Sequence, residues 1–165
     1  GDATINIYPD SRTLAEIAVQ TAKVARRFGV KPRVAMLSFS NFGTSSEMRT
    51  DRVEEAISIA RELDPDLIID GPMQADTALV PEIQKEYPFM SFDGPANILI
   101  CPNLASANIA YKLLQRIAGA EMTGPILEGL SKPAHVLQRG DSVRDVVHMA
   151  AICAVDAQRH DWQKL

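Results

Sequence analysis

The chain has 165 residues, enough to bury one substantial core, and 46% of them are apolar against 23% charged, an ordinary balance for a globular protein. A formal net charge of −4, with no block of Lys and Arg, argues against a nucleic-acid-binding surface. No apolar run approaches the roughly 20 residues that span a bilayer, and the first residues lack the basic-then-apolar layout of a secretion signal.

The chain opens on Gly1 and runs at once into strand-like residues, 3–7. A segment cut from a longer polypeptide is the expectation. Asp10-Ser11-Arg12-Thr13 reads as a helix start, and Leu14, Ile17, Ala18, Thr21, Val24 and Ala25 recur on one face until Phe28-Gly29. Residues 34–39 form a compact apolar run, as in a strand buried on both faces. A polar loop, 38–46, leads into a helix over 47–63 with Val53, Ala56, Ile57 and Ala60 on one side. A strand over 67–70 follows, and Gly71-Pro72 comes next. Residues 77–87 read as a short helix that Pro81 begins or kinks. Then come a strand at 96–101, a helix at 105–118, strands at 122–127 and 134–137, and a last helix over about 142–158.

Strands alternating with helices predict an α/β fold with a mainly parallel sheet flanked by helices. In such sheets ligands meet the loops that leave the carboxyl ends of strands. Three loops qualify here: 38–46, 71–76 and 103–108. The first is rich in hydroxyls, including Ser38 and Ser40, and short polar side chains with free N–H groups suit a phosphate or a polarised carbonyl. It is not a P-loop, because no Lys follows Gly43 in register. A capped helix start at Ser45 or Ser46 is the plain alternative.

The densest chemistry lies at Gln138-Arg139-Gly140-Asp141-Ser142-Val143-Arg144-Asp145. Gly140 allows a tight turn, and Ser142 with Asp145 three residues on has the spacing of a capping box. A helix N-terminus attracts anions, and Arg139 adds a planar cationic fork. The pattern equally fits a junction that binds nothing, with Asp145 only capping and Arg139 paired with a surface carboxylate. Arg116, late in its helix, reads either as a complement to the helix dipole or as a second anion contact. Cys101 and Cys153 lie in apolar segments, the expectation being buried thiols in a reducing compartment. His135, His148 and His160 have no partners at metal-ligand spacing, and Asp64-Pro65-Asp66 reads as a turn, so no metal site is expected.

One ordered set of residues runs over nearly the whole chain. It comprises Leu37-Ser38-Phe39-Ser40, Asp70-Gly71-Pro72-Met73-Gln74-Ala75-Asp76, Asn108-Ile109-Ala110-Tyr111-Lys112-Leu113-Leu114-Gln115-Arg116, Gly124-Pro125-Ile126-Leu127-Glu128-Gly129-Leu130, Lys132-Pro133 and the Arg139–Asp145 turn. The set resembles the phosphate acetyl/butyryltransferase family, and covers the later half of a family domain. Ser38-Phe39-Ser40-Asn41-Phe42-Gly43 and His135-Val136-Leu137 most resemble the phosphotransacetylase-like C-terminal domain of hybrid malic enzymes. The resemblance implies the second half of a phosphotransacetylase fold. It divides the 165 residues into an α/β subdomain at about 3–130 and a strand/helix segment at about 131–165 that packs on an upstream half.

In active members the turn resembles Ser-Arg-Gly-x-Ser-x-x-Asp, whose Ser and Asp serve the thiol of coenzyme A. Arg139 matches the turn's arginine and Asp145 its aspartate, Arg116 matches the arginine of the family's helix, and Gln138 stands where the catalytic Ser belongs. An amide cannot relay a proton as a hydroxyl can. The resemblance therefore implies a regulatory domain that binds acetyl-CoA as effector through Arg116, Arg139, Asp145, Ser38 and Ser40, without acyl transfer. It further implies an upstream malic enzyme domain carrying the malate, NADP and divalent-metal sites, a cytoplasmic location, and a homo-oligomer with no nucleic-acid or membrane partner. An active phosphate acetyltransferase and a purely structural assembly module are the alternatives.

Overall fold

Three parallel strands organise the earlier part of the chain. In the computed structural model, which describes residues 1–43 and 48–158, the elements follow in order: α1 (Ser11–Arg27), β1 (Val34–Leu37), α2 (Met48–Leu63), β2 (Ile69–Met73), α3 (Ala75–Leu79), α4 (Pro81–Gln84), β3 (Ile98–Ile100), α5 (Leu104–Ile117) and α6 (Val143–Ala157). The chain forms two compact units, Gly1–Tyr111 and Lys112–Leu165, so that α5 contributes to both.

In the first unit the strand order is β2-β1-β3, which places β1 in the centre and explains its unbroken apolar sequence. Side chains alternate across the sheet. Val34 and Met36 join Leu14, Ala15, Ala18, Val19 and Ala22 of α1, and Val53, Ala56, Ile57 and Ala60 of α2, with Ile69, Ile98 and Ile100 beneath. Ala35 and Leu37 face the other way, against Met73, Ala78, Phe92 and Ala96. The expected parallel α/β layering is what the chain adopts.

Several boundaries differ from those expected. Residues 3–7 are not a strand, because Asp2 takes the backbone N–H groups of Thr4, Ile5 and Asn6 at 2.7–2.8 Å and curls the segment on itself. The buried stripe of α1 centres on Leu14, Ala15, Ala18, Val19 and Ala22, leaving Ile17, Thr21, Val24 and Ala25 half-buried. Gly71 and Pro72 do not end β2 but form its bulge: Ala35 pairs with Asp70 and Leu37 with Met73. Gly71 has φ +138°, and a Cβ there would stand 2.5 Å from the carbonyl oxygen of Met36. Pro72 is tolerated because β2 is an edge strand. The single helix expected over 77–87 is two short ones. Val80 is extended (φ −108°, ψ 108°) because Pro81 disfavours the helical region before it. Asp64-Pro65-Asp66 is a turn, as expected.

In the second unit no strand forms over 122–127 or 134–137. Val136 N–H reaches the Pro125 carbonyl at 3.4 Å, but no ladder continues from it. Apolar runs this short need a paired edge to become strands, and none is supplied. Cys101 and Cys153 are free thiols, half-buried rather than enclosed, and burial pushes the Cys101 thiol up from its ordinary pKa.

Candidate anion-binding site

Every donor at the α6 N-terminus comes from a local sequence signal. Gln138-Arg139-Gly140-Asp141 is a closed turn. The Gln138 N–H donates to Asp141 Oδ2 at 2.6 Å, and the Asp141 N–H returns to the Gln138 carbonyl at 3.2 Å. Gly140 takes φ +91°. Ser142 caps α6, its Oγ accepting from the Asp145 N–H at 3.2 Å while Asp145 Oδ2 accepts from the Ser142 N–H at 2.9 Å. The expected capping box is present. The Ser142 hydroxyl and N–H, with smaller contributions from the nearby His148 and Arg144, hold the Asp145 carboxyl below the ordinary carboxylate range.

Arg139 and Arg116 are both exposed, Arg116 in the last turn of α5. Neither forms an ion pair with a carboxylate among the described residues. By contrast Arg144 forks onto Glu121 at 3.2 and 3.4 Å. Arg139 is thus the cation that leads into the free N–H groups of the α6 start, an arrangement that favours an oxyanion. Gln138 is half-buried and carries an amide, which can donate and accept hydrogen bonds but is not ionised in the useful range.

Ser38 and Ser40 belong to the first unit, whereas Arg116, Gln138, Arg139 and Asp145 belong to the second. Ser38 N–H extends the sheet by donating to the Met73 carbonyl at 2.8 Å. Ser40 is buried, and its Oγ has no hydrogen-bond partner among the described residues. The expected N-cap at Ser45 or Ser46 lies outside the described residues.

A network that sequence reading missed holds this loop. Asn41 Oδ1 accepts from the Gln74 N–H at 2.7 Å, Asn41 Nδ2 donates to the Tyr87 hydroxyl at 3.1 Å, and Gln74 Nε2 donates to the Phe39 carbonyl at 2.7 Å. Phe42 sits at φ +46°, packed on Tyr87 and Phe89 at ring-centroid distances of 5.2 and 4.9 Å. The partners are more than 30 residues apart in sequence, and no local signal joins them. Asp70 is likewise structural, its carboxylate accepting from the Ser91 N–H at 2.6 Å and the Gly71 N–H at 2.9 Å.

Comparison with known proteins gives this geometry a lineage. The chain is 45% identical over 157 residues to the phosphate acetyltransferase of Bacillus subtilis, covering 94% of this chain and 49% of that one. It is equally 45% identical over 160 residues to the NADP-dependent malic enzyme of Escherichia coli, covering 95% of this chain but 21% of the enzyme. A solved phosphotransacetylase from Streptococcus pyogenes superposes with a TM-score of 0.90 at 45% identity, over 95% of this chain and 48% of that one. The chain thus spans about half the length of the acetyltransferases and about a fifth of the malic enzyme. Residues 1–154 match the family described as Phosphate acetyl/butaryl transferase, and the chain belongs to that family.

Proposed function

We propose that this chain is a regulatory acyl-CoA-binding domain of an NADP-dependent malic enzyme, with acetyl-CoA as effector and no acyl transfer of its own. The observation that carries the reading is Gln138. It occupies the turn in which related transferases resemble Ser-Arg-Gly, while Arg139 and the α6 N-terminus keep the features that recognise an anion. The amide has no hydroxyl and is not ionised in the useful range, so it cannot relay a proton; on this reading binding survives and turnover does not. On this reading the chain works in the cytoplasm within a homo-oligomer. Malate, NADP and a divalent metal are handled by an upstream domain, and acetyl-CoA acts by preferring one of two states of the whole assembly.

A calorimetric titration of acetyl-CoA tests the reading, on this chain and on the longer polypeptide, with Arg139→Ala as control. Binding that the variant weakens, with no acetyl phosphate formed from acetyl-CoA and phosphate, supports it. Formation of acetyl phosphate would instead establish an active phosphate acetyltransferase. Absence of binding in both polypeptides would leave an assembly module. That second reading has its own support in Ile109, Leu113 and Ile117 of α5 and Val143, Val147 and Val155 of α6, exposed apolar residues at steps of four or eight along each helix.

A further inference from the structure

His135 and Asp156 meet in the interior of the second unit, each with less than a tenth of its side chain exposed, at 3.3 Å between Nε2 and Oδ2. That contact is close but not aligned as a hydrogen bond; the ring's hydrogen bond is at its other nitrogen, where the Leu127 backbone N–H donates to His135 Nδ1 at 3.2 Å. An imidazole that accepts at Nδ1 carries its proton on Nε2, the atom that faces the carboxylate. One ring thereby joins three pieces of chain, the 122–127 segment, the 134–137 segment and the last turn of α6. Neither segment belongs to a sheet, so no ladder fixes its path. Three residues beyond His135 the chain enters the Gln138–Asp141 turn. That turn is closed on itself and runs into the capping box of α6, and on its incoming side the chain is held by this ring, by the Cys153 thiol on the Pro133 carbonyl at 3.8 Å and by the long Val136–Pro125 contact.

We propose that His135, through Asp156 and Leu127, is the positioning residue for this turn and sets where Arg139 is presented. The consequence for acetyl-CoA rests on the function proposed above; the ordering of the turn does not.

Amide hydrogen exchange on the whole chain tests it, comparing wild type with His135→Ala, His135→Asn and Asp156→Asn. Asn at 135 keeps an acceptor for Leu127 and gives up Asp156. The expected result in His135→Ala is exchange faster by roughly five- to tenfold at the Gln138 and Asp141 amides, the equivalent of one lost hydrogen bond. Amides of α1 and β1 should be unchanged, and His135→Asn should restore part of the protection. Nitrogen shifts of the wild-type ring should report a proton on Nε2 alone. If His135→Ala fails to fold, Asp156→Asn gives the decisive comparison, with a smaller effect in the same direction. Unchanged exchange at Gln138 and Asp141, or equal loss across the whole second unit, would overturn the proposal. An acetyl-CoA titration of the same samples separates the two ideas. A wild type that does not bind, but whose turn loosens in the variant, removes the effector reading and leaves the positioning role. A wild type that binds, with a turn indifferent to His135, does the reverse.

Discussion

Ser142 and Asp145 each satisfy the other: Asp145 Oδ2 accepts both the N–H and the hydroxyl of Ser142, at 2.9 and 2.7 Å, and the Asp145 N–H lies 3.2 Å from Ser142 Oγ. These bonds hold the Asp145 carboxyl below its ordinary value of 3.8 in the folded chain. A depressed folded pKa means stability that is present above the unfolded value and lost as pH falls through the folded one. The start of α6 should therefore fray as pH drops below about 4, seen as faster exchange at the Ser142 and Asp145 amides. Ser142→Ala should lower unfolding free energy by about 1 kcal/mol at neutral pH and flatten this acid-side loss.

Gly71 provides a sharper test of the sheet. Its φ of +138° and the 2.5 Å approach of a Cβ to the Met36 carbonyl oxygen mean that any side chain must push β1 and β2 apart. Gly71→Ala should destabilise the chain by at least about 2 kcal/mol. At Gly29, where φ is +73° but the space around a Cβ is open, the same substitution should cost only about 1 kcal/mol. Urea unfolding of the two variants compares them directly; equal costs would mean that the bulge yields.

The loop that carries Ser38 and Ser40 depends on Asn41. Its side chain accepts from the Gln74 N–H and donates to the Tyr87 hydroxyl. Removing it leaves the Gln74 N–H without its acceptor. Asn41→Ala should destabilise by about 1–3 kcal/mol, with faster exchange at the Gln74 and Phe42 amides, while exchange in α1 stays as it was.

These tests probe features of unequal legibility. The α/β alternation, β1, the α2 face and the Ser142–Asp145 box could all be read from the residues, because each depends on local periodicity or on a three-residue spacing. The strand expected at 3–7 failed on one side chain, Asp2, whose carboxylate competes for three N–H groups. The strands expected at 122–127 and 134–137 failed for lack of a partner edge, which no short window reveals. Pro81 was visible as a breaker, yet the extended Val80 that divides α3 from α4 becomes definite only in the folded chain. At the candidate site, the turn and its arginine were legible from the order of residues. The Asn41–Gln74–Tyr87 network and the His135–Asp156 pair were not, because they join residues that only the fold brings together.

Arg139 is where the functional proposal is most exposed to failure. It is solvent-facing and pairs with no carboxylate among the described residues, so its replacement disturbs little packing. Arg139→Ala should keep the thermal midpoint of the wild type while weakening acetyl-CoA binding by about tenfold or more, the usual effect of losing one charge-assisted contact. Arg139→Lys separates charge from shape. A lysine keeps the positive charge but loses the planar fork that grips two oxygens at once, so its affinity should fall between the other two. The binding that remains should weaken further as salt is raised, because the contact is exposed and screened. A lysine variant equal to wild type would reduce Arg139 to a diffuse charge near the α6 N-terminus. An alanine variant equal to wild type would move the anion contact away from this turn altogether, with Arg116 the next residue to replace.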